Sequence, residues 1–191
     1  MSTMSRPTAT ASQLANLPSD DNRFELIAGE LRAMTPGGPD HGFVALNIGG
    51  AFATHARRHR LGRAFGADTG FLLATDPDTV LAPDAAFVRA DRCRLPKTRG
   101  FFPGPPDLAV EVRSPNDSRA AIQRKARLWL EHGCPCVLTI DPEERAATVW
   151  APGAPPLELD EHGHFEAEAI LPGLSIRIGD LFDDGLGEDS Q

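Results

Sequence analysis

The stretch Asp107-Leu-Ala-Val-Glu-Val-Arg113 constrains this chain more than any other. It reads as a β-strand with Leu108, Val110 and Val112 on one face and Ala109, Glu111 and Arg113 on the other. A glutamate flanked by valines inside such a strand is rare without a reason. Either Glu111 pairs with a cation, Arg113 being the nearest in sequence, or it serves chemistry. The strand is followed at once by Ser114-Pro-Asn-Asp117, a helix start, and that helix runs to a stop at Gly133 with Ile122, Leu128 and Trp129 on it.

The rest of the chain fills in around this unit. Arg23–Ile27 and Glu30–Met34 flank Ala28-Gly29 as a hairpin. After the breaker Thr35-Pro-Gly-Gly-Pro39, Asp40 caps a helix reaching about Arg60, with Val44, Ile48, Ala51, Phe52 and Ala56 as its apolar stripe. Strands are expected over 64–74 and 79–88, joined by Thr75-Asp-Pro-Asp78, and a long loop spans 89–106. After the second helix come strands over 136–140 and 146–150, then short β segments near 157–159, 165–170 and 174–178. The order gives an α/β fold with a mixed central sheet flanked by helices, an N-terminal hairpin and C-terminal β segments. Residues 13–182 form one domain between a disordered tail, 1–12, and an acidic tail, 183–191.

Geometry selects among the carboxylates. Asp107 and Glu111 lie about 13 Å apart along one strand, too far to share an ion. Asp84 interrupts an apolar strand that continues through Ala85-Ala-Phe-Val88, where a lone carboxylate is costly. On a strand adjacent to Glu111, about 4.8 Å away, it can share a divalent ion with it. Asp107 is then structural. From Asp117 to Lys125 is about 12 Å of helix, which retraces the loop and strand end and returns an ammonium to the level of Glu111.

The formal net charge of −8 argues against avid non-specific binding to nucleic acid, though it leaves room for local cations. Two basic patches stand out: Arg57, Arg58, Arg60 and Arg63, and Arg89, Arg92, Arg94, Lys97 and Arg99. Solvated surface charge explains either equally well. Cys93, Cys134 and Cys136 are an odd set without zinc spacing, so structural cysteines in a reducing cytoplasm are expected. No apolar run reaches the roughly 18–20 residues of a membrane span.

Taken in order, these residues resemble the Uma-two family, a bacterial group of endonucleases within the PD-(D/E)XK, restriction-endonuclease-like superfamily. The matching landmarks are Phe24-Glu-Leu-Ile-Ala-Gly-Glu-Leu31, His41 opening a helix, Pro83-Asp84, and Pro106-Asp-Leu-Ala-Val-Glu-Val112 with Ser114-Pro115. Lys125 stands three residues before Leu128-Trp129, and Ile140-Asp-Pro142, Leu171-Pro-Gly-Leu174 and Asp180-Leu-Phe182 follow. The resemblance covers nearly all of the chain past the first dozen residues. It implies Asp84 and Glu111 as ligands of Mg²⁺ or Mn²⁺, the Val112 carbonyl as a third ligand, and Lys125 in place of the motif lysine. Arg113 occupies the strand position where that lysine ordinarily stands. Trp129 replaces the usual tyrosine, and Ala121 a frequent acid.

His41, Glu30 and Arg113 are auxiliary candidates, and the sequence leaves open whether Glu25 or Glu30 faces the site. The expected activity is metal-dependent hydrolysis of phosphodiester bonds in DNA, leaving a 5′-phosphate as the superfamily implies. A homodimer is compatible with it. Two rivals remain: an inert nuclease fold that binds or regulates, and a metal-dependent hydrolase of small phosphates.

Overall fold

The computed structural model describes residues 8–17, 23–93 and 100–185. Its elements are α1 (Ala11–Ala15), β1 (Arg23–Ile27), β2 (Glu30–Met34), α2 (Pro39–His59), β3 (Gly62–Gly66), β4 (Phe71–Ala74), β5 (Thr79–Leu81) and β6 (Ala85–Arg89). They continue as β7 (Phe102–Pro103), β8 (Leu108–Val112), α3 (Arg119–Glu131), β9 (Val137–Asp141), β10 (Ala146–Trp150), β11 (Leu157–Leu159), β12 (His164–Glu166) and β13 (Ser175–Arg177), ending in a 3₁₀ turn over Ile178–Phe182.

The six-stranded sheet, in the order β11-β10-β9-β8-β6-β3, carries the middle of the fold. Strands β8 and β9 run parallel because α3 crosses between them; the other neighbours are antiparallel. Helix α2 covers one face with Val44, Ile48, Phe52 and Ala56, spaced four apart, against Phe87, Leu108, Val110 and Val112. Helix α3 covers the other with Ala126 and Trp129 against Ala86, Val88, Ala109 and Val137. Strand β8 is thus buried on both faces, and its side chains alternate as expected.

The six-stranded sheet is the expected mixed central sheet flanked by helices, but the strands expected over 64–74 and 79–88 do not all lie in it. A second, five-stranded sheet has the order β2-β1-β5-β4-β7. The strand expected over 64–74 is cut at Ala67–Gly70, where a turn lets Thr69 N–H donate to the Gly66 carbonyl. The strand expected over 79–88 is cut at Ala82-Pro-Asp84, since Pro83 has no N–H for a ladder and the chain crosses there from one sheet to the other. The hairpin forms as expected, with Ala28 and Gly29 at φ of 49° and 79°, the twist that a two-residue loop requires. It is part of the second sheet, through the pairing of Leu26 with Val80.

Helix boundaries also shift. Gly38, not Asp40, caps α2; Pro39 sits at its start and Asp40 in its first turn, where a carboxylate complements the helix dipole. Ser118 caps α3 by accepting from Ala121 N–H, and Gly133, at φ 87°, stops the chain from continuing. The stretch Thr8–Ser12, expected in a tail, is tied down. Ala9 N–H donates to the Gly29 carbonyl at 2.8 Å, and Thr10 and Gln13 form a capping box at the start of α1. Residues 1–7 and 186–191 of the expected tails lie outside the described residues, as do Arg94, Lys97 and Arg99.

Cys134 and Cys136 are buried free thiols, which burial pushes up to about 12, so neither is poised as a thiolate. Among the described residues no helix is long and apolar enough to cross a membrane.

Candidate active site

Residues from five segments meet at one end of the six-stranded sheet. Strand β6 pairs with β8 with Ala85 opposite Val110, so continuing the register by one residue sets Asp84 beside Glu111. Two backbone contacts fix this. Asp84 N–H donates to the Val110 carbonyl at 2.9 Å, and Asp84 Oδ2 accepts the Val112 N–H at 2.7 Å. Asp84 therefore stands where the ladder would have continued, its carboxylate replacing a strand partner.

Glu111 is 2% exposed, so its charge must be met within the protein. Trp129 Nε1–H donates to Oε1 at 2.7 Å, and Lys125 Nζ lies 3.0 Å from Oε2. Lys125 and Trp129 are four residues apart on α3 and so share one helical face. The same ammonium lies 3.1 Å from Glu25 Oε1, which also accepts the Ala82 N–H at 3.0 Å. Glu25 is the hairpin glutamate at the site. Glu30, at the start of β2, is exposed and 3.8 Å from Arg32. His41 completes the cluster. Three residues before Val44 on α2, it faces the sheet, with Nε2 3.3 Å from Asp84 Oδ2.

The electrostatics are acidic in excess. Glu25, Asp84 and Glu111 surround one ammonium and one imidazole. Burial pushes Glu111 up to about 8; Lys125 pulls it back, Asp84 and Glu25 raise it, and the Trp129 hydrogen bond lowers it. Burial would lower Lys125, but Glu111 and Glu25 outweigh that and hold it above its ordinary value, firmly an ammonium. The hydrogen bond to Asp84 raises His41 above the usual histidine range, against the opposing effect of burial.

Arg113, an auxiliary candidate, is not in the cluster. It lies just past β8, where strand alternation no longer directs it. Its Nε and Nη2 grip Asp141 at 2.8 and 3.0 Å, with Glu143 and the Asp117 carbonyl as further partners. Arg113 therefore clamps the ends of β8 and β9 to the start of α3. Nor does it pair with Glu111, whose cation is Lys125. Asp107 is likewise structural: its carboxylate is closed by Arg89 N–H, Arg89 Nε and Arg92 Nη1 within 2.9–3.1 Å.

The donor set suits a hard divalent ion. Its oxygens are carboxylates, and Mg²⁺ typically takes only one or two of them besides carbonyls and waters. Burial is the main cause that pushes Glu111 upward, and Asp84 and Glu25 add to it; such an ion would offset their charge. Among the described residues, no three His, Cys, Asp or Glu side chains form a ready-made cage, so any ion held here would draw on Asp84, Glu111 and backbone or solvent oxygens.

Two residues were not placed by the sequence. Glu25 needed knowledge of which hairpin face meets β5. Trp129 was visible as an aromatic one turn past Lys125, and that spacing was the available signal.

Comparison with known proteins supplies the family and the fold. The sequence profile of Uma2, described as "Putative restriction endonuclease", matches residues 11–179. The chain belongs to the Uma2 family. Among solved structures, the Uma2 fold here superposes on a "putative nuclease belonging to DUF820 from Anabaena variabilis" with a TM-score of 0.77 at 21% identity. That match covers 91% of this chain and 97% of the other and establishes the shared fold. No curated protein matches the chain.

Proposed function

We propose that this Uma2 protein is a metal-dependent endonuclease that hydrolyses phosphodiester bonds, with DNA as its substrate. The observation that carries the reading is the convergence of Glu111 and Glu25 on the Lys125 ammonium, with Asp84 held beside Glu111 by the Val112 N–H. Asp84 and Glu111, with the Val112 carbonyl, would hold Mg²⁺ or Mn²⁺. Such an ion supplies Lewis-acid polarisation of a phosphodiester oxygen and a more acidic water. Lys125, held charged by its two glutamates, offsets negative charge growing on the phosphoryl oxygens. His41, on Asp84, holds that carboxylate in place and can carry a proton. Trp129 keeps Glu111 oriented and shielded from bulk water.

One observation favours a second reading. Both Glu111 oxygens already have protein donors, Trp129 and Lys125, which would suit an inert nuclease fold serving as a binding module. Calorimetric titration with Mn²⁺ separates the two. The nuclease reading expects one site, weakened at least tenfold by Asp84→Asn or Glu111→Gln; binding that is absent, or indifferent to both changes, favours the inert module.

A further inference from the structure

A second basic feature lies away from the carboxylate cluster. Where α2 turns into β3, a cavity of about 300 Å³ is lined by Arg57, Arg60, Arg63 and Cys93. The turn is tight. Arg60 adopts a left-handed φ of 56°, and a Cβ on Gly62 would lie 2.0 Å from the Val88 carbonyl, so only glycine fits. This brings the helix end and the strand start together, so that Arg57, Arg60 and Arg63 line one cavity. All three arginines are exposed, and among the described residues no carboxylate pairs with any of them. The other arginines near this edge, Arg89 and Arg92, share the single Asp107 carboxylate.

Three like charges on one cavity repel one another, an arrangement that an anion relieves. The helix dipole accounts for a basic residue in the last turn of α2, such as Arg57. It does not account for Arg63, which lies beyond the helix on β3. Planar guanidinium forks match phosphate oxygens in pairs. Position points the same way. Arg63 is the partner of Val88, four residues along β6 from Asp84, or about 13 Å at 3.3 Å per residue. That is roughly four base-pair steps of duplex at 3.4 Å each.

We propose that the Arg57–Arg60–Arg63 cavity binds a backbone phosphate of the polynucleotide, a few nucleotides from the bond held at Asp84 and Glu111. The proposal rests on the nuclease reading above and names how that substrate is gripped. It also answers the charge problem: a chain with net charge −8 meets its polyanion through a local cavity rather than a basic surface.

The test is the salt dependence of affinity for a labelled duplex of about twenty base pairs, measured by fluorescence anisotropy in Ca²⁺ buffer. Wild type is compared with Arg57→Gln/Arg63→Gln and Arg57→Lys/Arg63→Lys, leaving the left-handed Arg60 in place. All the substituted residues are exposed, so unfolding temperatures should agree. Losing one phosphate contact should reduce the slope of log K against log salt by about 0.9 and weaken binding about tenfold or more in the glutamine variant. The lysine variant should keep most of the slope. Hydrolysis of bis(4-nitrophenyl) phosphate, too small to span both sites, should be the same in all three. Equal slope and affinity in wild type and the glutamine variant, with both still cutting duplex, would overturn the proposal and leave the nuclease reading intact. A rise in wild-type unfolding temperature with inorganic phosphate, absent from the glutamine variant and without any change in duplex binding, would assign the cavity to free phosphate and overturn it too. If wild type neither binds duplex nor cuts any phosphodiester, the nuclease reading fails, and this inference fails with it.

Discussion

Trp129 donates its indole N–H to Glu111 Oε1 at 2.7 Å, one helical turn beyond the lysine that holds Oε2 at 3.0 Å. The two donors leave the buried carboxylate oriented rather than merely neutralised. Trp129→Phe keeps most of the apolar volume and deletes one donor. It should lower stability by about 1–3 kcal/mol, the cost of leaving a buried acceptor unmet, seen as a lower urea midpoint. An unchanged midpoint would mean that the indole contact is incidental.

His41 offers a pH readout of the site. Its pKa is raised by the hydrogen bond to Asp84, so the pair's contribution to stability is complete below the unfolded value, near 6.5. It is lost as pH rises through the higher folded value. NMR titration of His41 should give a midpoint above 6.5, and Asp84→Asn should move it down. A midpoint that ignores Asp84→Asn would place the imidazole elsewhere.

Arg113 should act on stability and not on metal. Arg113→Ala removes a half-buried clamp and should cost about 1–3 kcal/mol while leaving Mn²⁺ affinity unchanged. Its partner Asp141 supplies a sign check. Burial opposes the shift, but Arg113 holds the Asp141 pKa below the ordinary carboxylate value. The stability it contributes is complete above about 3.9, the unfolded value, and is lost as pH falls through the lower folded one. Wild type and Arg113→Ala should therefore converge in stability under strong acid. Loss of Mn²⁺ binding in Arg113→Ala would return Arg113 to the site.

These residues also show what a single sequence can convey. Alternation along β8 was readable because the strand is regular, and it set Glu111 on the face opposite Leu108, Val110 and Val112. Helical spacing was equally readable, and it brought Lys125 to Glu111. Alternation ends with the strand, and Arg113, one residue later, follows its salt bridges to Asp141 and Glu143 instead. The break at Ala82–Asp84 was hidden for a related reason. Apolar residues on both sides suit one long strand as well as two short ones, and only tertiary packing decides which sheet each joins. Glu25 depended on the same unknown, since its position over Lys125 follows from β1 pairing with β5.

Lys125 is the group whose loss separates chemistry from folding. Lys125→Met leaves Glu111 and Glu25 without their cation and should destabilise the protein by about 3 kcal/mol or more. In the fraction that stays folded, turnover should fall about a hundredfold or more. Lys125→Arg should recover stability better than turnover, because a planar guanidinium is not a point charge. Paired measurements of urea unfolding and single-turnover cleavage check this; equal recovery of both would make Lys125 a purely structural cation.

Asp84 and Glu111 are the proposed centre of a metal-dependent phosphodiesterase site. Its most direct test is cleavage of supercoiled plasmid DNA by purified protein with Mg²⁺ or Mn²⁺, alongside EDTA controls and the Asp84→Asn and Glu111→Gln variants. Nicked and linear products are expected with metal, none with EDTA, and a loss of about a hundredfold or more in each variant. Cleavage that persists in EDTA, variants that cut as wild type does, or a wild-type protein that binds Mn²⁺ yet leaves the plasmid intact would contradict this proposal.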